Sequence, residues 1–159
     1  PDIKLLMIGS AGFGGNVVTP YVQEVQKLVE KAGERVKFTG YIENQKLYRY
    51  YQSADIQVIP SLWEEAAGLI AIEGMLSGLP LIITKSGGMI EYAPSNVAVW
   101  IDRDNIIPNL EAAIIQLADD KEKRKEMSEL SLEQAKEFPK KKFYEDYIEV
   151  FEHEGTRKR

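Results

Sequence analysis

Cysteine is absent from the 159 residues, so disulfides, thiol nucleophiles and thiolate metal sites are excluded together. Histidine occurs once, at His153, near an end that reads as frayed and without a catalytic role. Positive charge is not in excess. Twenty Lys and Arg against 25 Asp and Glu leave a net charge of −5, so nucleic acid is not an expected partner. No apolar run approaches the roughly 20 residues of a membrane-spanning helix, and no charged-then-apolar leader opens the chain. The opening Pro1-Asp2-Ile3-Lys4 has no Met and runs straight into a strand-like stretch, which reads as a cut edge. These absences leave a cytoplasmic globular protein as the expectation.

What is present is enough apolar residue for one sizeable core, 44% of the chain. Ile3 to Ile8 is a nearly continuous apolar run ending in the glycine-rich Gly9 to Gly15, the pattern of a strand buried on both faces. Val18, Val22, Val25 and Val29 share one face of a helix expected from about Val17 to Ala32, with Gly33 as its stop. Val36 to Thr39 follows as a second strand. Asn44 to Ser53 is expected to be helical, with Leu47, Tyr50, Tyr51 and Ala54 on one side. Asp55 to Pro60, Pro80 to Thr84 and Val97 to Ile101 are the third to fifth strands, with a helix over Gly68 to Ser77 and a turn at Gly87 and Gly88. Beyond them the chain reads as wholly helical: Asn105 to Ala118, Lys121 to Phe138, and an amphipathic stretch from Pro139.

Strands alternating with helices imply parallel strands joined by crossovers. The fold class is therefore α/β, a Rossmann-like doubly wound parallel sheet over about residues 1–118, with C-terminal helices over about 121–154. Ligands on such a sheet bind at the carboxyl ends of the strands. The loops after Ile8, Thr39, Pro60 and Thr84 are the places for a site.

Pro60 to Glu91 is the most informative stretch, because Glu65 is followed after seven residues by Glu73. On a helix, eight residues rise about 12 Å and bring the second side chain to within about 80° of the first, so the pair can flank one elongated ligand. Gly68, Leu69 and Ile70 would open that helix with free backbone N–H groups, where the macrodipole favours an anion such as a diphosphate. Gly68 has no side chain to block close approach. Taken alone, the two carboxylates also fit a helix-terminal Glu and a surface Glu. Around them stand Pro60-Ser61 after a strand, Gly68 three beyond Glu65, Gly78-Leu79-Pro80 opening the next strand, and Gly87-Gly88 with Glu91 three further on.

That pattern resembles the signature region of the retaining glycosyltransferases of family 4, or group 1, which have the two-domain GT-B fold. The stretch from Phe38 to Ser61 also looks like that family, and the matches together cover Ile3 to about Ile101. The resemblance implies the C-terminal, donor-binding half of an enzyme that moves a sugar from a nucleoside diphosphate sugar to a hydroxyl acceptor with retention, in polysaccharide or cell-envelope synthesis. Uridine diphosphate is the expected nucleotide; no cofactor and no metal are expected. By resemblance, Glu65 binds donor-sugar hydroxyls near the reacting carbon and is the catalytic candidate, and Glu73 takes the ribose hydroxyls. Gly68, Leu69 and Ile70 hold the diphosphate. Tyr41 and Ile42 contact the base through backbone groups and apolar surface, or else form a plain strand-to-helix turn. Gly12, Gly87, Gly88 and Glu91 line cleft loops. Ala66-Ala67 stands where the family commonly has Pro-Phe, so donor preference does not carry over.

In this family the domain opens with a strand, a Gly-Arg turn and a Lys-Gly helix start, none of which is present; the chain's first strand matches the family's second. In the 3-2-1-4-5-6 order the absent strand is the central one, leaving apolar edges on two neighbours. A homodimer by strand exchange is therefore expected, and so is the absence of an N-terminal acceptor-binding domain. Such a fragment is expected to transfer nothing by itself.

Other signals carry less. Gly9 to Gly15 has the wrong spacing for G-x-G-x-x-G, and no acidic residue ends Val36 to Thr39. Asp102-Arg103-Asp104 has a D-x-D form, but before Pro108 it reads as helix capping. Lys140 to Lys142 reads as a solvated face, with peripheral membrane contact as the alternative. Trp63 is a packing anchor or a cleft wall. A function from another class, a non-catalytic nucleotide-binding or interaction module, fits the same residues.

Overall fold

The computed structural model describes residues 2–12, 15–65 and 68–139. Lys140 to Lys142, the amphipathic stretch beyond Pro139, His153 and Ala66-Ala67 lie outside the described residues. The chain divides into two compact units, Pro1–Ser53 and Ala54–Arg159.

In the first unit, β1 (Leu5–Met7) and β2 (Val36–Phe38) pair in parallel, with Leu5 opposite Val36 and Met7 opposite Phe38. The crossover is α1 (Pro20–Ala32). It starts three residues later than the valine spacing suggests, because Thr19 caps it by accepting the Val22 N–H at 3.3 Å and Pro20 takes the first helical position. Val18 is consequently exposed, and Val22 is the buried member of the valine series. A single 3-10 turn, Gly33–Arg35, follows the helix, and α2 (Asn44–Tyr51) closes the unit.

The second unit holds a three-stranded parallel sheet in the order β3 (Gln57–Ile59), β4 (Leu81–Thr84), β5 (Ala98–Ile101). All four residues of the central β4 are buried, which is why Leu81-Ile82-Ile83 reads as a continuous apolar run rather than an alternating one. Helices α3 (Leu69–Leu76), α4 (Met89–Tyr92), α5 (Ile106–Asp119) and α6 (Lys121–Ala135) flank it. One core cluster joins Ile82, Ile101, Ala113, Leu117 and Met127. Helix α6 packs on α3, and its buried Ser131 hydroxyl donates to the Leu79 carbonyl at 2.9 Å. Arg124 caps the end of α5 by donating to the carbonyls of Leu117 and Ala118 at 2.5 and 2.8 Å. Asp120 caps the start of α6, accepting the Lys123 N–H at 2.8 Å.

The alternation of parallel strands and helices is thus Rossmann-like, but its strands form two sheets, and no ladder joins them among the described residues. Helix α4 was not anticipated: the Gly87-Gly88 turn leads into one helical turn, for which Gly88 in αR conformation serves as N-cap. The expected capping of α5 by the Asp102-Arg103-Asp104 acids does not occur. Asn105 is the N-cap, in a left-handed conformation (φ 56°) without a side-chain cap bond, and Asp102 instead pairs with Lys85 at 2.9 Å. No helix among the described residues is long and apolar enough to cross a membrane.

Candidate functional site

The sheet of the second unit ends in three loops. The loop after β3 carries Ser61, Leu62, Trp63, Glu64 and Glu65, and it is bonded to the loop after β4 at several points. Buried Thr84 donates its hydroxyl to the Ser61 carbonyl at 2.7 Å. Ser86 accepts the Glu65 N–H at 3.1 Å and donates to the Trp63 carbonyl. Gly88 N–H donates to the Glu65 carbonyl at 2.9 Å. A Cβ at Gly87 would stand 2.0 Å from that same carbonyl oxygen, and Gly87 has φ +45°, so only glycine lets the two loops close.

Glu65 is half-buried, and its carboxylate accepts the Ser61 hydroxyl at 2.8 Å through Oε1. It lies in the loop, four residues ahead of α3, so the helical-wheel geometry expected for Glu65 and Glu73 does not apply across the whole spacing. Gly68 interrupts it. This residue is the N-cap of α3 in a left-handed conformation, φ 49° and ψ 44°, which a chain continuing as a right-handed helix would not adopt. A Cβ on Gly68 would meet Met89 Cγ at 2.3 Å and the Tyr92 hydroxyl at 3.1 Å, so its missing side chain is required by packing against α4.

The start of α3 carries no side-chain cap. The first backbone bond there runs from the Ala71 N–H to the Gly68 carbonyl at 2.8 Å, and Leu69 and Ile70, both exposed, precede it. Their N–H groups are the ones the geometry offers to an anion. The helix itself is held to β3 by Gln57, whose Nε2 donates to the Ile70 carbonyl at 3.0 Å. Glu73 follows one turn on, half-buried, with its carbonyl accepting the Ser77 hydroxyl at 2.9 Å. Gly87, Gly88 and Glu91 are brought to the same loop cluster and to α4, with Glu91 exposed.

Several residues here escaped sequence reading. Glu64 accepts the Gly87 N–H at 2.6 Å through Oε2 and pairs with Arg103 through Oε1, joining all three loops. The Gly87 N–H first, and the Arg103 guanidinium second, hold its carboxyl below the ordinary value. Ser61 and Ser86 were visible only as flanking positions of the motif. The Tyr92 hydroxyl is buried with no hydrogen-bond partner among the described residues. Burial, and after it the charges of Glu65 and Glu91, raise its pKa. No spacing rule distinguishes these roles; they depend on loops that meet in space.

In the first unit, Gly12 forms an isolated antiparallel bridge with Gly15, and a Cβ there would stand 2.7 Å from Val17 Cγ2. Tyr41 and Ile42 are half-buried in the loop between β2 and α2. The Tyr41 N–H is already donated to Asn16 Oδ1 at 2.7 Å, which removes it from the backbone groups expected to face a base. Beside them, at the carboxyl ends of β1 and β2, is a cavity of about 220 Å³ lined by Ser10, Asn16, Val22, Phe38, Thr39 and Gly40 among others.

A family model described as glycosyl transferases group 1 matches residues 1–134. Spore coat protein SA of Bacillus subtilis is 29% identical over 154 residues, 96% of this chain and 41% of that protein. A D-inositol 3-phosphate glycosyltransferase of Corynebacterium glutamicum is 32% identical over 142 residues, 87% of this chain and 33% of the relative. Among solved structures, HepE of Anabaena in complex with UDP and glucose matches with a TM-score of 0.81 at 22% identity, covering 96% of this chain and 41% of that one. Sucrose-phosphate synthase of Thermosynechococcus elongatus gives 0.81 at 23%, covering 97% and 39%. The chain shares the fold of these two structures and spans less than half the length of each of the four proteins.

Proposed function

Because the chain belongs to the group 1 glycosyl transferases, we propose that it is the donor-binding part of a longer enzyme that transfers a sugar, with retention, from a nucleoside diphosphate sugar to a hydroxyl acceptor. The observation that carries this reading is the loop cluster of the second unit: a Glu65 carboxylate oriented by Ser61 immediately ahead of an uncapped helix start. A diphosphate at the Leu69 and Ile70 N–H groups would be favoured by the α3 macrodipole, both bound and as a leaving group. Glu65 would take donor-sugar hydroxyls and Glu73 the ribose hydroxyls, as carboxylates suited to accept from paired hydroxyls. The acceptor hydroxyl would attack the anomeric carbon on the face from which the diphosphate departs, which preserves configuration.

Uridine diphosphate is the nucleotide of this proposal, supported by its presence in the HepE structure. The acceptor site belongs to the remainder of the enzyme, so the chain alone should not transfer sugar. Polysaccharide or cell-envelope synthesis in the cytoplasm is the setting that completes the reading, without metal or cofactor.

Calorimetric titration of the protein with uridine diphosphate, beside Glu73→Ala, tests it. Loss of hydrogen bonds to a charged group should weaken binding by about 1.5–3 kcal/mol. Equal affinities in the two proteins would remove Glu73 from the donor site, and an absence of binding to uridine, guanosine and adenosine diphosphates alike would sink the proposal.

A further inference from the structure

Trp63 is 67% exposed, so it is not a packing anchor. Its neighbour Leu62 is 63% exposed as well, and scattered exposed apolar side chains are ordinary on a protein surface. What sets Trp63 apart is how firmly its backbone is held and what frames it. Its carbonyl accepts the Ser86 hydroxyl, and the same Ser86 oxygen accepts the N–H of Glu65, so the indole rises from a fixed segment two residues before the candidate sugar-binding carboxylate. On one side, the Leu62 carbonyl accepts from Arg103 at 3.4 Å; on the other, Glu64 is held by Gly87 and Arg103.

We propose that Trp63 is a stacking platform for a saccharide ring beside Glu65. The framing selects the occupant. A lipid chain or an apolar protein face laid over the indole would have to desolvate the Glu64 carboxylate and the Arg103 guanidinium, whose side chains are 63% and 38% exposed. A pyranose has one apolar C–H face and a rim of hydroxyls. Its face covers the indole while its hydroxyls bond the flanking carboxylate and guanidinium, leaving every charge solvated or paired. This inference rests on the donor-site reading for Glu65, and the ring is either the donor's own sugar or that of a saccharide acceptor.

The chain has two tryptophans, and the second is a stable reference: half-buried Trp100 donates its indole N–H to the Ala93 carbonyl at 2.9 Å. Emission that changes in the wild type and not in Trp63→Phe therefore belongs to Trp63. One arm compares UDP-glucose with UDP; the other adds glucose or N-acetylglucosamine to the UDP-bound protein and to the nucleotide-free protein. A saturable change at Trp63 in the first arm assigns the ring to the donor, and one in the second assigns it to an acceptor. Either supports the platform if Trp63→Ala also weakens that ligand by about three- to ten-fold, as loss of one aromatic contact should. No change at Trp63 in any arm overturns the proposal, and a change seen only with anionic phospholipid vesicles or on raising protein concentration overturns it equally. Failure of UDP to bind would count against the donor-site reading instead, and the nucleotide-free saccharide arm would still judge Trp63.

Discussion

At the scale of single residues, two groups that flank Glu65 behave oppositely with pH. Glu64 is exposed, yet its pKa is lowered from the ordinary 4.5, first by the Gly87 N–H and then by Arg103, which favour its ionised form. Its tie between the loops therefore stabilises the fold above that ordinary value and is lost as pH falls through the lowered folded value. Glu64→Gln should flatten the acid limb of a plot of urea midpoint against pH below 4.5, and identical limbs would show that the tie contributes nothing in solution. Tyr92 has its pKa raised above 10.0, first by burial and then by Glu65 and Glu91, so its contribution holds below that value and is lost as pH rises through the folded one. Among the described residues its buried hydroxyl also has no partner, a cost of about 1–3 kcal/mol. Tyr92→Phe keeps the edge-on ring contact with Phe138 at 5.7 Å and removes that cost. The variant should be more stable by about 1 kcal/mol in equilibrium urea unfolding, with a shallower alkaline limb; a loss of stability would mean that the hydroxyl is satisfied in solution.

At the scale of elements, α3 shows competing effects that magnitudes can decide. Gly74 sits inside this helix, where Ala would ordinarily be favoured by about 1 kcal/mol. A Cβ there, however, would stand 1.6 Å from Gln57 Oε1, on the side chain that ties the helix to β3 through the Ile70 carbonyl. Overpacking of this kind costs about 1–3 kcal/mol, and breaking the tie adds to it. Gly74→Ala should therefore destabilise, by about 1–2 kcal/mol net; a gain would show that Gln57 swings aside freely. Nothing in the sequence identified this tie, because Gln57 and Ile70 are 13 positions apart and polar residues in strands have no periodic signature. The strands and long helices were legible for the opposite reason. Leu81-Ile82-Ile83 is a local pattern set by burial, and the structure moved the bounds of β4 and α1 by only a few residues. The motif from Pro60 to Glu91 spans the loops after β3 and β4, but it did not show that Ser61 and Ser86 orient Glu65 or that Gly68 faces Met89 and Tyr92.

At the scale of the whole chain, the exposed edge of β1 is the feature with the largest consequence. Among the described strands β1 pairs only with β2, and Ile3, Leu5, Leu6 and Ile8 are 38–46% exposed although a parallel strand is ordinarily covered on both faces. In the 159-residue chain by itself, which spans less than half the length of its relatives, we infer that this unpaired apolar edge is a template for a strand of a second copy. Sedimentation equilibrium of the 159-residue chain should accordingly give a weight-average mass that rises with concentration from monomer towards dimer. Leu6→Lys should shift that curve towards monomer, since an edge lysine opposes strand pairing while the half-open Leu6 position costs little to replace. A mass that stays monomeric at every concentration in the unmodified chain would reject strand exchange. Association that Leu6→Lys leaves untouched would place the contact elsewhere, with the exposed Val17, Val18 and Tyr21 around the start of α1 as the next surface to alter.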